Sequence, residues 1–178
     1  MSVKSSKRLV IDVSVAIAAG GKYASHPTSK NCRDFLKSIL SICHHAVMTQ
    51  EINEEWEMGI SRFTKKWLGW MQRRNKILRV KKAPNDEIRD QIKHSEATET
   101  QKIKMEKDRR LIEAALKTDK IIISLDDEAR ELFKKLTGSS QSLKKIVWVN
   151  PDKLTEAPIH WLENGAKHDE ERQLGSSS

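Results

Sequence analysis

Short apolar runs alternate along this chain with stretches of helical periodicity. Residues 8–12, 46–48, 120–125 and 145–149 are brief, contain β-branched residues and are too short for helices, so we expect buried strands there. Strands that alternate with helices are typical of a parallel sheet with right-handed crossovers. The sequence therefore predicts an α/β fold of three layers, α/β/α, with a central parallel sheet.

Helical spacing is clearest after the second predicted strand. Thr49 is well placed to cap a helix, and apolar residues then recur every three or four positions over about five turns. Gly59 and Gly69 weaken this pattern without breaking it, so we expect one long helix. Its tryptophans are predicted to pack in the core or an interface rather than to stack on bases. The apolar positions are Ile52, Trp56, Ile60, Phe63, Trp67 and Trp70.

Positive charge is concentrated in one part of the chain. Lysine and arginine number 33 against 25 acidic residues, a formal net charge of +8, and no acid occurs from residue 58 to residue 85. Such a bias exceeds that of an ordinary solvated face and favours contact with the phosphates of a nucleic acid. The nine cations of this block are Arg62, Lys65, Lys66, Arg73, Arg74, Lys76, Arg79, Lys81 and Lys82.

A single domain is the expectation for 178 residues. We assign residues 1–163 to it, with 58–107 as a basic and polar helical insertion or lid, and 164–178 as a polar, flexible tail. No signal sequence or membrane span is evident, and two cysteines without a CxxC pair favour reduced thiols. A cytoplasmic protein with no membrane partner is predicted, in which His44 and His45 are structural.

Acidic residues follow two of the predicted strands. Asp12 and Asp126 lie where strand carboxyl ends meet in a parallel sheet, the usual place for a site. Asp108 is expected at the start of a helix, on the side of its apolar residues. After Thr49, helix phase favours Glu55 over Glu57 only weakly, and Glu54 remains open.

Carboxylates gathered at one place repel one another unless a cation neutralises them. Hard divalent ions such as Mg²⁺ or Mn²⁺ prefer oxygen ligands and can activate water for attack on a phosphodiester. Taken singly, each acid could instead be a helix cap or a complement to a helix dipole. Their combination favours a metal-dependent site.

The motifs that contain these acids resemble those of the PIN-domain nucleases. They are Leu-Val-Ile-Asp12-Val-Ser14, the segment from Val47 to Trp56, and residues 108–116 followed by Ile-Ile-Ile-Ser124-Leu-Asp126. The resemblance covers about residues 8–150. It implies catalytic and metal-binding roles for Asp12, Glu55, Asp108 and Asp126, a supporting metal contact from Asp127, and orientation of the acids by Ser14 and Ser124.

The resemblance also implies what the protein does. We expect a nuclease that uses Mg²⁺ or Mn²⁺ and acts on RNA more readily than on DNA, most simply an endoribonuclease. The alternative is a non-catalytic module that keeps the fold and binds nucleic acid through the basic block. A toxin restrained by an antitoxin, a component of an RNA-processing assembly and a homodimer all remain open.

Overall fold

A computed structural model describes residues 5–22 and 24–177. Its centre is a five-stranded sheet in which every neighbouring pair is parallel, in the order β3-β2-β1-β4-β5. The predicted α/β fold with a central parallel sheet is confirmed. The strands are β1 (Arg8–Ile11), β2 (His45–Met48), β3 (Ile77–Arg79), β4 (Ile121–Ile123) and β5 (Val147–Val149).

Helices cover both faces of this sheet. Right-handed connections place the helices of the β1-to-β3 half on one face and those leading to β4 and β5 on the other. The helices of the described residues are α1 (Val13–Ala18), α2 (Thr28–Ser41), α3 (Gln50–Gly59), α4 (Arg62–Arg73), α5 (Asp86–Lys93), α6 (Glu99–Leu116), α7 (Asp127–Leu136), α8 (Gln141–Lys144) and α9 (Pro158–Glu163), with 3₁₀ turns at Leu154–Glu156 and Glu170–Arg172.

Two tryptophans fix α3 and α4 against the rest of the core. Trp56 and Trp67 are fully buried and stacked, with ring centroids 5.8 Å apart. Each indole donates to a backbone carbonyl, Trp56 to Ile11 at 3.2 Å and Trp67 to Leu36 at 2.6 Å. The predicted packing role is confirmed for these two residues, whereas Trp70 is 37% exposed.

The long helix predicted after β2 is two helices. α3 ends at Gly59, and α4 begins after Ser61, whose hydroxyl accepts a hydrogen bond from the Thr64 amide at 3.2 Å. A serine cap of this kind satisfies an amide that would otherwise lack a partner at the start of a helix. The apolar spacing continues through the break, which is why periodicity alone misses it.

The predicted insertion or lid over 58–107 is largely part of the domain. It supplies β3, which pairs with β2, and the buried side chains of Thr64, Met71, Ile88 and Met105. β3 has only three residues, and none of them is fully buried. β4 and β5 are equally short, but the two apolar residues of β3 stand between Lys76 and Arg79, so β3 lacks a continuous apolar run.

Helix α6 begins nine residues before Asp108. Thr98 and Gln101 form a capping box at its start, with the Thr98 hydroxyl accepting from the Gln101 amide at 3.2 Å. Asp108 therefore lies within the helix, and the prediction that it opens one is wrong.

Residues 164–177 pack on the domain, contrary to the prediction of a flexible tail. Ala166 and Leu174 are buried, and Gln173 forms an antiparallel bridge with Val147 of β5. The Trp161 indole donates to the Lys167 carbonyl at 2.8 Å. The segment is polar in composition because only a few of its residues face the sheet.

Among the described residues, no helix combines the length and apolar character needed to cross a membrane.

His44 is a buried structural residue, as predicted. Its Nδ1 accepts a hydrogen bond from the Lys7 amide at 3.1 Å, and its Nε2 lies 2.9 Å from the Leu162 carbonyl, to which it donates. This pair of bonds requires the neutral ring, because protonation of Nδ1 would leave two donors facing one another. Burial lowers the pKa of His44 below its ordinary 6.5, and the charges of Lys76 and Lys7 act in the same direction.

We predict that His44 makes the protein less stable in mild acid. A lowered folded-state pKa means that its contribution is complete above the ordinary value and is lost as pH falls through the folded pKa. Between about pH 7.5 and about pH 5, the melting temperature of the wild type should fall by about 2 °C or more beyond that of His44→Gln. Equal falls in calorimetry would contradict this role.

Candidate active site at the carboxyl edge of the sheet

Asp12 directly follows β1 and is held by two serines. Its side chain is buried, and its Oδ2 accepts hydrogen bonds from Ser14 Oγ at 2.6 Å and Ser124 Oγ at 3.0 Å. The two hydroxyls also accept from the chain after β4, Ser14 from the Leu125 amide at 3.3 Å and Ser124 from the Asp126 amide at 3.0 Å. The serines thus join the ends of β1 and β4 and fix the orientation of the Asp12 carboxylate.

Glu55 faces Asp12 from α3. The Thr49 hydroxyl caps this helix by accepting from the Ile52 amide at 3.2 Å, and Trp56, the next residue, bonds to the last residue of β1. Glu54 is exposed and accepts a hydrogen bond from Gln50. Glu57 is also exposed and accepts a hydrogen bond from Asn53. Of the three glutamates left open by the sequence, the structure therefore brings Glu55 to the site.

Asp108 reaches the same place from the middle of α6. It is 8% exposed, and burial raises its pKa above the usual value. The negative charges of Asp12 and Asp126 act in the same direction, while the charge of Arg110 opposes them. The influence of Asp12 and Asp126 reflects how close these acids lie to Asp108.

Asp126 has one carboxylate oxygen in a helix cap and the other in an ion pair. Its Oδ1 accepts from the Ala129 amide at 2.9 Å at the start of α7, and its Oδ2 lies 2.7 Å from Lys104 Nζ. Burial alone would raise the pKa of Asp126, but the hydrogen bonds from Lys104 and Ala129 lower it overall. This residue is thus a helix cap and a member of the site at once.

The guanidinium of Arg110 lies among the other three acids. Its Nη2 is 2.6 Å from Glu55 Oε2 and 3.7 Å from Asp12 Oδ1, and its Nη1 is 3.4 Å from Asp108 Oδ1. Burial alone would lower its pKa, but the hydrogen bond to Glu55 and the nearby carboxylates raise it overall. We call Asp12, Glu55, Asp108 and Asp126 the acidic cluster; it contains four carboxylates, and Arg110 and Lys104 are cations in contact with it.

A buried charge that loses its partner is costly. Removing one member of a buried ion pair destabilises proteins by roughly 3–5 kcal/mol, because the remaining charge is left without compensation. Arg110 is 9% exposed and contacts three carboxylates. Its charge is therefore a structural requirement of the cluster in this conformation.

The acidic cluster has the donor chemistry of a divalent-metal site but not its spacing. Carboxylate oxygens are the ligands that Mg²⁺ and Mn²⁺ prefer. Yet within residues 5–22 and 24–177 no group of three or more His, Cys, Asp or Glu side chains is arranged to hold a metal ion. The guanidinium of Arg110, a cation, lies between the carboxylates instead.

Asp127 points away from the acidic cluster. Its Oδ2 accepts from Asn150 Nδ2 at 3.2 Å and lies 3.2 Å from Lys153 Nζ, both beyond the end of β5. Asp127 is thus paired with residues after β5 and not with Arg110 or Lys104, the cations that contact the other four acids.

Most of the predicted phosphate-binding residues are exposed. Lys65, Lys66, Trp70 and Arg73 line one side of α4 around a shallow hollow of about 520 Å³. Arg62 lies on the same helix, and Arg74, Arg79, Lys81 and Lys82 follow it, with Lys82 paired to Glu51.

Lys76 does not belong to this exposed set. It is buried, and its ammonium donates to the carbonyls of Ile39, Leu40 and Ile42 at the end of α2. A cation at a helix C-terminus satisfies carbonyls that lack partners and complements the helix dipole. Its predicted contact with nucleic acid is wrong, because the side chain is committed to the fold.

Arg110 and Lys104 are site residues that the sequence patterns did not reveal. One signal for Lys104 is its position four residues before Asp108, which places the two on one side of a helix. For Arg110 the signal is the run from Leu111 to Ala115, in which Glu113 is the sole polar residue. A helix end with so little polar surface has no clear solvent face, so an adjacent arginine can be buried.

Comparisons with known protein families, with curated proteins and with solved structures find no match to this chain.

Proposed function

We propose that this protein is a PIN-type nuclease that hydrolyses phosphodiester bonds with the help of Mg²⁺ or Mn²⁺. The observation that carries the proposal is the convergence of Asp12, Glu55 and Asp108 on a single point at the carboxyl edge of a parallel sheet. These acids come from three separate elements, and Asp126 is linked to them through Ser124, whose hydroxyl accepts from the Asp126 amide and donates to Asp12. The preference for RNA over DNA rests on the family resemblance alone.

The acidic cluster would hold the divalent ion through its carboxylate oxygens only after these move from the spacing seen around Arg110. Such an ion supplies a more acidic water molecule and compensates negative charge on the phosphate. The two serines prevent rotation of Asp12 by occupying Oδ2, so that Oδ1 stays directed at the centre of the cluster. An orientation fixed before substrate binds avoids reorganisation during the reaction.

The exposed cations of α4 provide a surface for the substrate backbone. Lys65, Lys66 and Arg73 border the hollow beside the partly exposed Trp70. Phosphates can contact the three cations while a base stacks on the indole, the arrangement by which many proteins bind single strands. In this proposal the α4 surface binds phosphates and the acidic cluster binds the metal ion.

Substitution of Asp12 should impair cleavage while the protein remains folded. We expect wild-type protein to cleave labelled RNA in Mn²⁺ or Mg²⁺ but not in chelator, and Asp12→Asn to reduce the rate by about 100-fold or more. The matched control is Asp34→Asn, which removes a carboxylate from an exposed ion pair on α2. Cleavage by Asp12→Asn at the wild-type rate would contradict the proposal.

A non-catalytic nucleic-acid-binding module is the second candidate. The observation in its favour is that Arg110 and Lys104 already neutralise part of the acidic cluster, as purely structural carboxylates would require. Tight binding of RNA and DNA by wild-type protein, without cleavage of either in Mn²⁺, would select this candidate over the nuclease.

Substitution of Lys65, Lys66 and Arg73 with glutamine should weaken nucleic-acid binding. Each lost phosphate contact reduces the slope of log affinity against log salt by roughly 0.7 for a single strand, so three contacts reduce it by about 2. The control substitutes glutamine for the exposed Lys93, Lys117 and Lys145, which are remote in sequence from α4. It removes the same amount of positive charge. Equal slopes for the two triple variants, measured by fluorescence anisotropy, would exclude the α4 surface.

A further inference from the structure

We infer that Arg110 is the resident cation of the acidic cluster, and that a divalent ion binds there only by displacing its guanidinium. This competition rests on the proposed function for the identity of the ion, Mg²⁺ or Mn²⁺. It makes Arg110 the residue that sets the affinity of the site for metal.

The guanidinium and a metal ion would use the same oxygens. Arg110 Nη2 lies 2.6 Å from Glu55 Oε2 and 3.7 Å from Asp12 Oδ1, and Nη1 lies 3.4 Å from Asp108 Oδ1. An ion such as Mg²⁺ approaches its oxygen ligands to about 2.0–2.1 Å. An ion bound by these carboxylates would therefore be in close contact with the guanidinium and repelled by its charge.

Arg110 is held mainly by charge and incompletely by hydrogen bonds. Its Nη1 donates to the carbonyl of Lys107 in its own helix, whereas its buried Nε has no hydrogen-bond partner among the described residues. A buried donor without a partner is unfavourable, so the side chain does not fit its position perfectly. Such a fit is compatible with release of the side chain when a stronger cation competes.

Glu55 offers a route for this exchange. Its side chain is 33% exposed, whereas those of Asp12 and Asp108 are 9% and 11% exposed. Of the three carboxylates that the guanidinium contacts, the one nearest to it is thus also the one nearest solvent. We expect rotation of the Glu55 and Arg110 side chains to open the cluster without movement of α3 or α6.

Replacement of Arg110 should make the stability of the protein depend on a bound metal ion. In chelator, Arg110→Met leaves three carboxylates close together without their shared cation, so its melting temperature should fall below that of the wild type. Mn²⁺ should then restore stability, because a ligand that binds the folded state alone stabilises it in proportion to its affinity.

The experiment measures melting temperature and calorimetric Mn²⁺ binding for wild type, Arg110→Met and Arg110→Met/Asp12→Asn. We expect Arg110→Met to bind Mn²⁺ at least 10-fold more tightly than the wild type, and the Asp12→Asn substitution to abolish most of this gain. If Arg110→Met folds poorly, Arg110→Gln takes its place, because glutamine is also polar and forms hydrogen bonds but carries no charge. It should show the same gain in Mn²⁺ affinity.

Equal Mn²⁺ affinity in wild type and the Arg110 variants would overturn the inference, as would a gain that survives Asp12→Asn. The readout separates this inference from the proposed function. A gain in Mn²⁺ affinity without RNA cleavage supports the competition and refutes the nuclease. Metal-dependent cleavage with equal Mn²⁺ affinity in all variants supports the nuclease and refutes the competition.

Discussion

Mutual repulsion of carboxylates is the constraint on which the site depends. The fold brings Asp12, Glu55, Asp108 and Asp126 to one edge of the sheet, where burial of Asp12 and Asp108 removes the water that would screen their charges. Such an arrangement is stable only if cations enter it. Arg110 and Lys104, both from α6, fill that need in this conformation, so a single helix carries one acid of the cluster and the cations that neutralise it.

The sequence predicts the layers and the acids because both leave local patterns. Short β-branched runs mark four of the five strands, and acids after β1 and β4 must lie at one edge once the sheet is parallel. β3 escapes detection because its two apolar residues lie between lysine and arginine and are only partly buried. The α3–α4 break escapes detection because apolar spacing continues across Ser61. The partners of Arg110 and Lys76 lie on elements distant in sequence, so no local pattern identifies them.

The proposed function assigns different roles to two charged regions of the protein. The net charge of +8 resides largely outside the acidic cluster, and α4 presents Lys65, Lys66 and Arg73 without an acid in the helix. A polyanion is attracted to such a face and repelled by exposed carboxylates. Under the proposed function, neutralisation of the acidic cluster therefore favours binding of a nucleic acid as well as stability.

The most direct test of this account is the anomalous scattering of manganese in crystals of wild-type protein and Arg110→Met, soaked at the same MnCl₂ concentration. We expect a peak bounded by Asp12, Glu55 and Asp108 in the variant, and in the wild type a weaker peak or one accompanied by a displaced Arg110. A full peak beside an unmoved Arg110 guanidinium, or no peak in the variant, would contradict it.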